Sequence, residues 1–144
     1  MKNNKYIDKE INLLRSLPLA KRNITKRKDQ KKREVIIEAK KFDFNYWDGP
    51  REYGYGGYKY DGRWIPVARD IVNNYALKSE MKVLDVGCAK GFLIKDLLTV
   101  LPGLEVFGLD VSSYALMHCE KEVIGDCTWV RQKAYHSQIK VLIL

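Results

Sequence analysis

Between Met81 and Asp110 the chain spells out a unit that leaves few folds open. Met81-Lys-Val-Leu-Asp-Val-Gly87 is a short, mostly apolar run closed by a glycine, which reads as a buried strand. After Cys88-Ala-Lys-Gly91, residues Leu93, Ile94, Leu97, Leu98 and Leu101 recur at helical spacing until Pro102-Gly103 ends the helix. Glu105-Val-Phe-Gly-Leu-Asp110 is a second buried strand, and Ser112 or Ser113 can cap a further helix carrying Ala115 and Leu116. Upstream, Val67, Ala68, Ile71, Val72, Tyr75 and Ala76 share one face of a helix that starts at Trp64, with Pro66 in its first turn, and runs to about Leu77. Alternating strands and helices make a right-handed βαβ unit. The expected class is therefore α/β, a parallel sheet with flanking helices.

Charge and composition divide the rest. Residues 1–41 hold 14 basic and 5 acidic side chains and residues 42–144 hold 12 and 13, so the net charge of +8 belongs to an N-terminal arm. The pI of 9.3 is thus no argument that the whole protein binds nucleic acid. Ile7, Ile11 and Leu14 before Pro18, then Thr25 as a cap for a segment through Lys41 containing Val35, Ile36 and Ile37, predict two short helices in this basic arm. Its run Lys21, Arg22, Lys26, Arg27, Lys28, Lys31, Lys32, Arg33 suits phosphate or an anionic surface, but a solvated helix face is the plainer reading. Residues 42–63 form a second segment, an aromatic and glycine-rich loop: nine of the 16 aromatics and five of the ten glycines fall in residues 42–64. Tyr53-Gly-Tyr-Gly-Gly-Tyr58 cannot hold a helix. It reads as a lid closing over a ligand, as a platform stacking single-stranded bases, or as a loop packed on the core. Residues 64–144 are the α/β domain.

No stretch approaches the roughly 18 apolar residues of a membrane span, and Lys2, Lys5, Asp8, Lys9 and Glu10 interrupt any signal-peptide core, so a cytoplasmic location is expected. Cys88, Cys119 and Cys127 are odd in number and form no C-x-x-C pair, which suits reduced thiols better than a disulfide frame or zinc knuckle.

The first strand-to-helix turn is the candidate site, because ligands of parallel sheets sit beyond the carboxyl ends of the strands. Gly87 permits the sharp turn, and Gly91 removes a side chain where a ligand or the helix comes close. Asp110 ends the second strand and can accept hydrogen bonds from the vicinal hydroxyls of a ribose. A nicotinamide site wants G-x-G-x-x-G, yet Ala89 stands at the second glycine, and Asp85 would repel a diphosphate while suiting an ammonium group. A phosphate-binding P-loop is excluded, since no Lys-Ser or Lys-Thr follows the last glycine. Cys88 reads as a packing residue and not a nucleophile, for neither His118 nor His136 is tied to it by a motif. Glu120 and Glu122 read as a solvated face.

Val83-Leu-Asp-Val-Gly-Cys-Ala-Lys-Gly91, with Phe107-Gly-Leu-Asp-Val-Ser112 about twenty residues on, resembles the class I S-adenosylmethionine-dependent methyltransferases of the type 11 kind. The resemblance covers roughly residues 64–125. It implies a Rossmann-like seven-stranded sheet, with S-adenosylmethionine as cofactor. Asp85, Gly87 and Gly91 would line its methionine end, Asp110 would hold its ribose, and Cys88 and Val111 would complete the binding set. Lys90, where the family often has glycine, departs from the pattern. The resemblance implies no particular acceptor; a small molecule or glycan is expected, and a nucleic-acid-binding module built on the basic arm and the Tyr/Gly loop is the alternative.

The family's complete sheet needs far more chain than follows Gly87, so the domain is expected to be incomplete. Residues 126–144 also lack the Pro-Phe and Phe-Asp that lead into the family's fourth strand. Started one base earlier, with third bases free, their codons permit Arg-Leu-His-Val-Gly-Thr-Ala-Lys-Ser-Leu-Pro-Phe-Pro-Asp-Lys-Ser-Phe-Asp-Phe, which looks like the missing segment. A frameshift near Gly125 is the expectation; a genuine strand from Ile139 to Leu144 is the other reading. The fragment is expected to leave one edge of the first strand unpaired, an apolar face uncovered, and the chain inactive.

Overall fold

A computed structural model describes residues 11–18, 32–129 and 140–143. The elements run α1 (Lys32–Ala39), α2 (Phe44–Trp47), α3 (Ile65–Asn74), β1 (Lys82–Val86), α4 (Phe92–Val100), β2 (Glu105–Asp110), α5 (Ser113–Met117), a 3-10 turn (Lys121–Val123), β3 (Cys127–Trp129) and β4 (Lys140–Ile143). The sheet order is β3-β2-β1-β4. β1 and β2 pair in parallel with Val83 opposite Val106 and Asp85 opposite Gly108, and β2 and β3 pair in parallel with Gly108 opposite Cys127. The predicted α/β unit with a small parallel sheet and flanking helices is therefore present.

Alternation decides which face is inside. Val83 and Asp85 on β1, and Val106, Gly108 and Asp110 on β2, are buried, whereas Lys82, Glu105 and Phe107 point outward and are exposed. The buried face meets α3 through Val67, Ala68 and Ile71 and α4 through Leu93, Ile94 and Leu97, with Leu77, Leu104 and Val123 closing the core. α3 begins with Pro66 in its first turn, where a missing N–H costs nothing. α5 is capped by Ser112, whose Oγ accepts from the Ala115 amide at 2.9 Å. Gly108 is held by packing: a Cβ there would lie 2.6 Å from Ile94 Cδ1 and 2.7 Å from Cys88 Sγ, so a side chain would push α4 off the sheet.

Two expectations need correction. The segment 11–18 forms turns, with the Leu13 and Leu17 amides bonding to the carbonyls of Ile11 and Leu14, and not the first predicted helix. Residues so near Pro18 lack room for successive i to i−4 bonds. Within the described residues the second helix of the arm is α1, and its proposed cap Thr25 lies outside them, as does His136. The outer edge of β1 is not open: β4 pairs with it antiparallel, Val83 opposite Ile143 and Val86 opposite Lys140. An unpaired row of amides and carbonyls takes up an available extended segment, whichever way that segment runs. Among the described residues no helix is long and apolar enough to cross a membrane.

Candidate functional site

The turn out of β1 is fastened to the end of β2. The Gly87 and Cys88 amides both donate to the Leu109 carbonyl, at 2.7 and 3.1 Å, and Gly87 takes φ 92°, a region closed to most side chains. Ala89 also has a positive φ, 52°, and its amide donates to Asp110 Oδ2 at 2.7 Å. Asp110 Oδ1 accepts from the Ser112 amide at 2.7 Å, and the Val111 amide also bonds to this carboxylate. Burial raises the Asp110 carboxyl above its ordinary value, partly offset by these amides. Asp110 thus binds the turn to the second strand. A carboxylate offers about four acceptor positions, so three amides leave about one for a ligand, fewer than the two that a pair of ribose hydroxyls would use.

The aromatic segment folds over this turn. Trp47 is buried, its Nε1 donating to Ser112 Oγ at 2.8 Å and to the Phe42 carbonyl at 3.1 Å. Tyr55 stacks on Trp47 with centroids 5.3 Å apart, and Tyr58 stacks on Phe92 of α4 at 4.6 Å. One ion pair locks the arrangement. Lys90 is 6% exposed, and its Nζ donates to both Asp48 oxygens at 2.8 and 2.7 Å and to the Tyr58 carbonyl at 2.9 Å. Tyr114 of α5 adds its hydroxyl to Asp48 Oδ2 at 2.8 Å, and the Tyr58 amide donates to Oδ1 at 3.1 Å. Burial pushes the Asp48 carboxyl up, but the bonds from Lys90, Tyr114 and Tyr58 outweigh it, leaving Asp48 below the ordinary carboxylate value.

Under this cover lies a cavity of about 460 Å³. Its walls include Tyr46, Trp47, Tyr55 and Tyr58 from the aromatic segment, Trp64 and Ile71 at α3, and Asp85, Gly87, Cys88 and Ala89 of the turn. Leu13 and Leu14 also line it, and Arg15 and Ser16 bond to Asp70 of α3, so this part of the arm is docked on the domain. Asp85 is 3% exposed, and among the described residues none gives it a hydrogen bond or a positive charge. Burial, with smaller contributions from Cys127 and Asp110, raises its carboxyl to about 7. A buried carboxyl facing aromatic rings suits a cation, which would restore its ionised form.

Of the residues singled out in the sequence, Asp85, Gly87 and Cys88 line the cavity together; Gly91, Asp110 and Val111 are not among its lining residues. Gly91 takes φ 74°, and a Cβ there would lie 2.6 Å from Val123 Cγ2, so it makes room for the 3-10 turn. Cys88 and Cys119 both direct their thiols at the Ala89 carbonyl, at 4.0 and 3.7 Å. Their nearness to Cys127 lowers the Cys127 thiol below its ordinary value and raises the other two, whose burial adds to the rise. Glu120 and Glu122 are not merely solvated: Lys95 Nζ lies 2.6 and 3.2 Å from them, and 4.2 Å from the Tyr60 ring centroid. Sequence reasoning missed Asp48, Trp64 and Tyr114. The signal for Asp48 was Lys90 itself, since a lysine in a tight turn needs a counter-charge.

The chain matches no protein-family model, no curated protein and no solved structure.

Proposed function

We propose that the chain carries the cofactor-binding part of an S-adenosylmethionine-dependent methyltransferase, with the cavity over β1 receiving the methionine end of the cofactor. The observation that carries this is Asp85: a buried carboxylate without a described partner, set at the exit of the first strand in an aromatic-walled cavity. Such a carboxylate calls for an ammonium group, which the cofactor's amino-acid tail has and a dinucleotide's diphosphate lacks. Gly87 clears the backbone for close approach, and the Tyr46, Trp47, Tyr55 and Tyr58 rings form an aromatic wall of the cavity. Asp110, already tied to Ala89 and Ser112, would give a remaining acceptor position to a ribose hydroxyl. When bound, the cofactor supplies an electrophilic methyl group for in-line transfer to an oxygen, nitrogen or carbon nucleophile. The chain's own residues contribute orientation, which is where most of the rate in such a transfer comes from.

The test is calorimetric titration of the 144-residue chain with S-adenosylhomocysteine, alongside Asp85→Asn. Saturable binding that changes little with salt, and that Asp85→Asn weakens by about tenfold or more, is expected. Undiminished affinity in the variant, or no binding to a chain shown to be folded, refutes the assignment. Binding to oligonucleotide that falls steeply with salt would favour the nucleic-acid module instead.

A further inference from the structure

Three thiols carried by three different elements converge behind the first turn. Cys88 follows β1, Cys119 follows α5 and Cys127 opens β3. The first two direct their sulfurs at the Ala89 carbonyl, at 4.0 and 3.7 Å. Cys127 Sγ lies 3.7 Å from where a Gly91 Cβ would stand, and Cys127 sits opposite Gly108, whose own Cβ position is 2.7 Å from Cys88 Sγ. All three cysteines are free, and among the described residues no group of three or more such side chains could hold a metal ion.

The three are not equivalent. Cys88 is 5% exposed and fixed by packing, since its sulfur and Ile94 Cδ1 together fill the space over Gly108. Cys119 and Cys127 are half-buried, and the segment between them exposes Lys121, Glu122, Ile124 and Gly125. Gly125 takes φ 105° with nothing within 4 Å of its Cβ position, which leaves that segment room to adjust. The nearby S–H groups lower the Cys127 thiol below its ordinary value, and the thiolate is the reactive form. A solvent-accessible thiolate beside a second thiol is the arrangement of an oxidant-sensitive cysteine and its resolving partner. We propose that Cys127 and Cys119 are a peroxide-reactive pair that closes into a disulfide joining the end of α5 to the start of β3. The Cys127 thiolate attacks one peroxide oxygen, the O–O bond breaks, and the departing hydroxide recovers the proton that Cys127 had released. The Cys119 sulfur then attacks the sulfenic sulfur, and its proton leaves with the hydroxyl as a second water. Two thiols give up two electrons, and the peroxide is reduced to two waters.

The experiment treats the reduced 144-residue chain with hydrogen peroxide, blocks the remaining thiols with iodoacetamide, and maps tryptic peptides by mass spectrometry without reduction. Trypsin places Cys88, Cys119 and Cys127 on separate peptides, residues 83–90, 96–121 and 122–131. The expected product links 96–121 to 122–131 within one chain and leaves Cys88 alkylated. A link to 83–90, a link between two chains, or no link overturns the proposal. In urea the same link should form about tenfold more slowly or worse, because the thiolate and the convergence are both lost; an equal rate there assigns it to closeness in sequence and overturns the proposal as well. A measurement without peroxide checks the nucleophile. At pH 6 an ordinary thiol is under about 1% ionised, and Cys127 should take iodoacetamide about tenfold faster or more than Cys119; equal rates refute its role. Cys119→Ser should stop at a Cys127 sulfenic acid that dimedone captures, and Cys127→Ser should leave Cys119 reduced over the same time. Oxidation of Cys119 in that second variant at the wild-type rate overturns the assignment.

Discussion

Replacing Asp48 by Asn should destabilise the domain by about 3–5 kcal/mol, the cost of removing one member of a buried ion pair. The magnitude follows from burial. An exposed pair is worth about 0–1 kcal/mol, but the Lys90 side chain is 8% exposed and the Asp48 side chain 22%, so most of the solvent that would otherwise stabilise the ammonium is gone. Asn keeps one oxygen for the Tyr58 amide, which makes the loss chiefly one of charge and leaves Lys90 with the Tyr58 carbonyl. Set against a typical total of about 5–15 kcal/mol, the variant should have a large unfolded fraction, or at least a detached aromatic segment. The assay is urea denaturation followed by circular dichroism and by tryptophan fluorescence, since Trp47 sits beside the pair. The double variant Asp48→Leu/Lys90→Met should recover much of the loss, because removing both charges removes the unpaired one. The pH dependence has a defined sign. Asp48 titrates below its ordinary value of about 4, so its contribution is full above that pH and disappears as pH falls through the lower folded value. A single-variant cost under about 1 kcal/mol, or strictly additive losses in the double variant, would show that the pair behaves as a surface contact and that the argument from burial is wrong.

Asp85 has the opposite sign. Its folded carboxyl is raised to about 7, so the ligand-free fold binds more protons than the unfolded chain between about pH 4 and 7, and stability should fall across that window as pH rises. Asp85→Asn should flatten the profile measured by denaturation at pH 5 and pH 8, and an unchanged slope would count against its being the buried acid. Gly108→Ala should cost about 1–3 kcal/mol by overpacking against Ile94 and Cys88. Shortening the obstacle with Cys88→Ala should return part of that loss, and full stability in Gly108→Ala alone would mean α4 is not held as closely as described.

The elements of the domain were legible because they rest on short-range patterns. The alternation in Lys82–Val86 and Glu105–Asp110, the helical spacing of Leu93, Ile94 and Leu97, and the cap at Ser112 state where each element begins and which side it buries. From these, the parallel pairing of β1 and β2 and the placing of Asp85 and Gly87 at the same turn follow by the rules of chain connection. What the aromatic segment does was not legible. Of the readings of Tyr53 to Tyr58, packing is the one the structure has: Trp47, Tyr55 and Tyr58 pack together and wall the cavity. That depended on Asp48 meeting Lys90, 42 positions apart in the chain. Likewise, Gly91 makes room for Val123, and Asp110 accepts from the amides of Ala89 and Ser112 in its own fold. Local sequence sets backbone propensity and the inward face of each element, because those depend on neighbours a few residues away. Which buried charge finds its partner, and which polar atoms are left to face a cavity, depends on distances between elements that exist only once the chain has closed on itself.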